Sequence, residues 1–318
     1  MRLLKTRMAA ACLTVTMTAG LSACAGSGTT ATTGTAEVTP PGNLVASGTL
    51  TYGTAATFPP FESKSSGGDL EGFDIDMIDS LASSMGLRTK ALDTDFDGLI
   101  PALAGRRTDI VNSAMYITDK RAAQVDFVPY LVIGETLLTP RGNPKKISRV
   151  PEDLAGRTVA VTRGAIGETY MEDYNKELKR KGLASMKIMS LPSNQDAMLA
   201  VRSGRADAFD TSTPGAATTL AQSDDYTVAA TFKNDTKIGI AVRKGDTAMA
   251  KALREALDLF VRSGEYAKLL KKYRLPAETD YFGAASTASP SAAGAASASA
   301  AGSASASAAG SASASAGS

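Results

Sequence analysis

The chain contains no histidine and no tryptophan among its 318 residues, and only two cysteines, Cys12 and Cys24. Without histidine there is no Ser-His-Asp base, the commonest zinc ligand is missing, and no side chain has an ordinary pKa near neutrality. Charge of either sign is not in excess, since 34 Lys and Arg face 32 Asp and Glu for a net +2. Arg2, Lys5 and Arg7 fall in the first 23 residues, which hold no acid, so the remainder carries 31 against 32, or −1. A polyanion-binding surface has little to build on, and no nucleic-acid partner is expected. Beyond residue 23 no apolar run approaches the roughly 18 residues needed to cross a bilayer.

Met1 to Ala23 combines a basic start, an apolar stretch from Met8 to Leu21 and small residues before Cys24. That order reads as a cleaved export signal. Leu21-Ser22-Ala23-Cys24 resembles the bacterial lipobox, in which the cysteine takes a diacylglyceryl thioether. Two acyl chains give durable membrane attachment where one is marginal. The alternative is an ordinary secretory signal with an accidental cysteine. Cys12 lies inside the signal, so the mature chain has one thiol and no internal disulfide. Residues 24–47 then make a lipidated cysteine with a flexible tether, which puts the globular part on the extracytoplasmic face of the cell membrane. From Ala284 to Ser318 the chain is Ala, Ser and Gly apart from Thr287 and Pro290, a composition that cannot form a core. What remains, Gly48 to Gly283, suits one bilobed unit or two small domains.

Within that stretch short β-prone runs alternate with helical periodicity, as an α/β sheet requires. Strands are predicted at Thr49–Tyr52, Thr89–Leu92, Asp109–Ser113, Val159–Val161, Met186–Leu191, Ala206–Phe209 and Ile238–Arg243. Helices are predicted at Asp74–Met85, Phe96–Ala104, Glu168–Lys181, a segment capped by Asn194 and running to Arg202, Ala248–Ser263 and Glu265–Tyr273. The last helices complete the first unit, because too few residues follow for a third core.

Six motifs occur in order: Phe58-Pro59-Pro60-Phe61-Glu62, Glu71-Gly72-Phe73-Asp74-Ile75-Asp76, Phe96-Asp97-Gly98-Leu99-Ile100-Pro101-Ala102-Leu103, Ile117-Thr118-Asp119-Lys120-Arg121, Val125-Asp126-Phe127 and Gly204-Arg205-Ala206-Asp207-Ala208-Phe209. Together they resemble the amino-acid-type (family 3) extracellular solute-binding lipoproteins that feed ABC importers. The resemblance implies a type II periplasmic-binding-protein fold, with two α/β lobes joined by two hinge crossings and a ligand held in the cleft. Lobe 1 is expected over 48–138 plus 236–283 and lobe 2 over 139–235, with crossings near Leu137–Gly142 and Thr231–Lys237. It also implies a monomer partnered by a membrane permease, with neither cofactor nor metal.

The resemblance carries ligand roles onto particular residues. Arg121 would grip the ligand carboxylate, beside a helix start that Thr118 can cap. Left to itself, a lone arginine would be read as a surface residue pairing with Asp119 or Glu135. Phe58 would stack on the ligand, while Phe61 either joins that wall or packs in its own lobe. Ala114 and Tyr116 join the set from the segment before Thr118, the phenol standing where the family commonly has a small hydroxyl. Arg163-Gly164-Ala165-Ile166-Gly167 could offer backbone amides from the second lobe, with Gly164 and Ile166 as candidates, or could be a plain strand-to-helix turn.

Two departures matter. Where the family usually places acids around the ligand ammonium, this chain has Ala55 and Ser212, and Asp210 shares the facing of Ser212 only if the strand has no bulge. A buried ammonium without an anion is costly. The expectation is a carboxylate ligand with a substituted, cyclic or quaternary nitrogen, of the ectoine or betaine kind, held by aromatic rings. An ordinary amino acid stays open if Glu62, Asp74 or Asp210 reaches the nitrogen. An enzyme on the same scaffold, dehydratase-like, and a tethered sensing module are the competing classes; no nucleophile motif or metal cluster favours an enzyme.

Overall fold

The computed structural model describes residues 36–283, the side chain of Asn234 excepted; the export signal, Cys24 and the Ala/Ser/Gly tail lie outside the described residues. In chain order the first half comprises β1 (Thr49–Thr54), β2 (Ser63–Lys64), β3 (Leu70–Glu71), α1 (Phe73–Ser84), β4 (Arg88–Asp93), α2 (Leu99–Ala104), β5 (Ile110–Val111), α3 (Asp119–Ala122) and the long β6 (Val125–Pro140). The second comprises β7 (Thr158–Thr162), α4 (Ile166–Arg180), β8 (Lys187–Leu191), α5 (Asn194–Arg202), β9 (Ala208–Ser212), α6 (Thr213–Gln222), β10 (Tyr226–Arg243), α7 (Thr247–Arg262) and α8 (Glu265–Lys272).

One ladder of eight strands runs β4-β1-β5-β10-β6-β9-β7-β8, and β2 pairs with β3 apart from it. β1 is parallel to β4 and β5, and β7 is parallel to β8 and β9. Leu50 to Thr54 of β1 are all buried, as a strand covered on both faces must be. Between the two parallel groups β6 and β10 lie antiparallel, from Tyr226 opposite Pro140 to Arg243 opposite Val125. Their register breaks between Phe232 and Thr236, opposite Glu135 and Ile133, where the ladder passes from one lobe to the other.

The first crossing therefore comes earlier than Leu137–Gly142: Leu137 and Leu138 already pair with Asp210 and Phe209 of β9, inside the second lobe. Strand alternation divides that lobe's core. Leu137, Val159 and Val161 pack with Met171 and Leu178 on one face, while Leu138 and Ala160 pack with Ala197, Val201 and Phe209 on the other. In the first lobe α1, α7 and α8 cover the sheet, burying Phe73, Leu81, Tyr130, Leu253 and Tyr266.

Three local readings change. Phe96–Ala104 is not one helix: a 3₁₀ turn over Phe96–Gly98 precedes α2, because Pro101 has no N–H for the carbonyl of Asp97 and its ring would clash there. Ser193, not Asn194, caps α5, its Oγ accepting from Asp196 N at 3.1 Å. And α6, unpredicted because Thr213-Pro214-Gly215 looks like a turn, starts on a Ser212 cap that accepts from Gly215 N at 3.1 Å, with Pro214 in the first turn where its missing N–H costs nothing.

Candidate functional site

A cavity of about 290 Å³ lies between the lobes. The first lobe contributes Ala55, Phe58, Phe96, Ala114 and Tyr116 to its wall; β6 contributes Glu135, and the second lobe Ile166, Gly167, Asn194, Asp210 and Ser212. The lobes touch around it. Ile166, at the start of α4, packs into the first lobe's core, and a Cβ on Gly164 would stand 2.9 Å from that of Asp97.

The predicted residues divide into those on the wall and those behind it. Phe58, Ala114, Tyr116, Ile166, Asp210 and Ser212 line the cavity. Asp210 and Ser212 face the same way, as two residues apart on an unbulged strand should. Phe61 does not line it: fully buried in the first lobe's core, it backs Phe58 with ring centroids 5.5 Å apart. Cis peptide geometry at Pro59–Pro60 accompanies that placement. Thr118 is also behind the wall, its Oγ1 accepting from Arg121 N at 3.2 Å as the cap of α3. Gly164 offers no amide to the cavity, since its N–H donates to Glu168 Oε2 at 2.7 Å.

Arg121 is neither a surface residue nor a residue of the wall. Only 8% exposed, it donates from Nη1 to the Tyr116 carbonyl at 2.7 Å and from Nη2 to the Gly164 carbonyl at 2.8 Å. Its guanidinium lies 5.3 Å from the centroid of the Phe96 ring, which does line the cavity. The side chain thus ties the two lobes together beside the cavity. Burial lowers its pKa to about 10, so it stays cationic at neutral pH, and two of the five N–H donors a guanidinium carries are accounted for by these bonds.

Glu135 was absent from the predicted wall and lines the cavity beside Asp210. It is 2% exposed, Asp210 is 6% exposed, and both line the cavity. Glu135 Oε1 and Asp210 Oδ1 are buried without a hydrogen-bond partner, as is the neighbouring Thr211 Oγ1. Asp210 Oδ2 presses on the first turn of α4, where a Cβ on Gly167 would lie only 1.6 Å away, so only glycine admits the carboxylate there. Burial, then the charge of Asp210, pushes Glu135 well above the carboxylate range, and burial raises Asp210 to about 7. Near neutral pH the pair therefore retains a proton that a cationic group could replace. Tyr116 stands beside it, its OH donating to the Gly134 carbonyl at 3.2 Å. A sequence signal for Glu135 existed: it is the one charge in Leu131-Val132-Ile133-Gly134-Glu135-Thr136-Leu137-Leu138, an otherwise β-prone, mostly apolar run.

Phe58, Phe96 and the acid pair thus line the cavity, and the buried arginine lies beside it. Among the described residues no cluster of acids or thiols is placed to hold a metal ion. The sequence pattern of bacterial extracellular solute-binding proteins, family 3, matches residues 50–276. The chain belongs to that family.

Its relatives agree. The L-arginine-binding protein of Pseudomonas aeruginosa is 31% identical over 230 residues, covering 70% of this chain and 86% of the relative. The lysine/arginine/ornithine-binding periplasmic protein of Escherichia coli is 30% identical over 235 residues, covering 71% and 87%. Among solved structures, an ancestral arginine-binding protein bound to arginine superposes with a TM-score of 0.67 at 34% identity, covering 71% of this chain and 98% of the other. An ancestral amino acid-binding protein described as a precursor of cyclohexadienyl dehydratase gives 0.63 at 35% identity, covering 71% and 95%. The fold is the type II periplasmic-binding-protein fold, and this family member is a solute-binding protein of amino-acid transport. No described helix is long and apolar enough to cross a membrane.

Proposed function

We propose that this family member is the substrate-binding component of an ABC importer, capturing a carboxylate-bearing amino-acid solute with a cationic nitrogen and presenting it to a membrane permease. The observation that carries this reading is the Glu135 and Asp210 pair, two buried acids on the cavity wall with unpartnered oxygens. A ligand N–H⁺ group satisfies both, and Arg121 waits beside the cavity for the carboxylate. Phe58 and Phe96 supply ring surfaces for what lies between. Relatives named for binding arginine, lysine and ornithine support a cationic ligand.

Ala55 and Ser212 do leave the family's usual ammonium positions without acids, and both line the cavity. The acid is instead supplied by Glu135 and Asp210, which removes the reason to require a substituted nitrogen. An ectoine- or betaine-like solute is the second reading, supported by the aromatic wall; a quaternary nitrogen has no N–H for the two carboxylates. The ligand's contacts with both lobes favour the closed form, which lets a permease distinguish loaded from empty protein. The protein acts as a monomer held at the membrane by lipid on Cys24.

Calorimetry on residues 25 onward, refolded to strip endogenous ligand, tests this against L-arginine, L-lysine, L-histidine, L-glutamate, ectoine and glycine betaine. Micromolar or tighter binding of a cationic amino acid, recovered unchanged, is expected. Binding confined to ectoine or betaine would establish the second reading, and conversion of a bound acid to product would overturn both in favour of an enzyme.

A further inference from the structure

A second pair of buried acids lies behind the cavity, at motif positions that ligand capture leaves unused. Glu62 follows the Phe58–Phe61 loop and is 1% exposed; Asp74 opens α1 and is fully buried. Their backbones are adjacent, because Asp74 N donates to the Phe61 carbonyl at 2.9 Å. They also hold consecutive residues: Ser113 Oγ donates to Glu62 Oε1 at 2.8 Å, and Ala114 N donates to Asp74 Oδ2 at 2.7 Å. Tyr130 OH adds a 2.6 Å bond to the same Oδ2. That leaves Glu62 Oε2 and Asp74 Oδ1, both buried and both without a partner. No ion pair joins either acid among the described residues.

Two adjacent anions without a cation are untenable in such a site, and two neutral acids would discard the stronger charge-assisted bonds from Tyr130 and Ala114. We propose that Glu62 and Asp74 share a single proton, Glu62 Oε2 donating to Asp74 Oδ1, and that the pair positions the part of the cavity wall formed by Ala55 and Ala114. This role goes beyond ligand capture and does not depend on the ligand's identity.

Both wall residues hang on the pair. Ala55 N donates to Ser113 Oγ at 3.0 Å, so Glu62 reaches Ala55 through one hydroxyl. Ala114 has φ of +39°, in the left-handed region that a non-glycine residue adopts at a cost, and its N–H is the group bonded to Asp74. Burial and the neighbouring Asp74 charge keep Glu62 protonated well above the carboxylate range, and burial raises Asp74 to about 7. The titratable groups facing the pair are Tyr52 from β1 and Tyr130 from β6, both raised by burial and neutral throughout.

The test is an amide-substitution cycle on the full chain. In Glu62→Gln the Nε2 group supplies the missing donor, and in Asp74→Asn the Nδ2 group does so; either single variant should keep the thermal midpoint measured at pH 6. In the double variant two amides meet, so its midpoint should fall by more than the sum of the single changes. In the unsubstituted protein the amide proton shifts of Ala55 and Ala114 should titrate together between pH 5 and 9, and both should be flat in Glu62→Gln. The infrared absorption of protonated buried carboxyl at pH 7 should fall in that variant to the part that Glu135 and Asp210 contribute, so a difference spectrum of the two proteins should show one protonated carboxyl. Additive midpoints, or the same amide titration in the protein and in Glu62→Gln, would overturn the proposal. None of the three readouts uses a ligand, so failure of ligand capture is separately visible.

Discussion

Arg121→Ala is the most informative single change, because the arginine has been given two jobs that different measurements read. Its bond to the Tyr116 carbonyl at 2.7 Å lies within the first lobe, and its bond to the Gly164 carbonyl at 2.8 Å crosses to the second. A hydrogen bond from a charged donor contributes about 1.5 to 3 kcal/mol, and the contact with Phe96 about 0.5 to 2 kcal/mol more. Loss of the in-lobe contacts should therefore lower the unfolding free energy by about 2 to 5 kcal/mol, measured by urea titration without ligand. The cross-lobe bond is already broken whenever the cleft opens, so its loss should appear as a larger radius of gyration in solution scattering. If Arg121 also grips the ligand carboxylate, removing it costs about 2 to 5 kcal/mol of affinity, at least a thirtyfold weakening in calorimetry. Arg121→Lys should be intermediate, since one ammonium lacks the planar fork that reaches both carbonyls. Stability within about 0.5 kcal/mol of the parent, scattering unchanged and affinity intact would refute the whole assignment.

Three further outcomes follow from the site. Affinity for L-arginine should rise as pH goes from 5.5 to 8, because the Glu135 and Asp210 proton competes with the ligand cation until it is lost near and above about 7; proton release should show as a buffer-dependent binding enthalpy, and a flat profile would remove the pair from the site. Gly167→Ala should displace the Asp210 carboxylate, which leaves no room for a Cβ, and weaken L-arginine binding at least tenfold, about 1.4 kcal/mol; unchanged affinity in calorimetry would contradict that contact. Phe61→Ala should destabilise the fold by about 3 to 5 kcal/mol in urea titration, whereas Phe58→Ala, half-buried on the wall, should act chiefly on affinity; the reverse pattern would exchange their assignments.

The family and most of the secondary structure were legible in the sequence because their signals are local. Periodic apolar residues mark α1, α4, α7 and α8, and motif order marks the family. The misses are places where neighbours in sequence give the wrong cue. Thr213-Pro214-Gly215 reads as a turn until Ser212 caps it, and Glu135 reads as a surface partner for arginine until β6 is paired on both sides. Phe58 and Phe61 are chemically alike and three residues apart, yet one faces the cavity and the other the core.

From the chain alone come the α/β class, the family, the polar and aromatic residue types around the cleft, and the exclusion of histidine chemistry. Those depend on composition and on spacing of a few residues, which no packing alters. Only the tertiary structure decided that Arg121 spends two of its N–H groups on carbonyls from opposite lobes, that Glu135 and Asp210, 75 positions apart, form one acid pair, and that Glu62 and Asp74 form another behind the wall. The physical reason is burial: a carboxyl group's charge and partners are set by what the fold brings against it after water has been removed, and sequence distance carries no record of that.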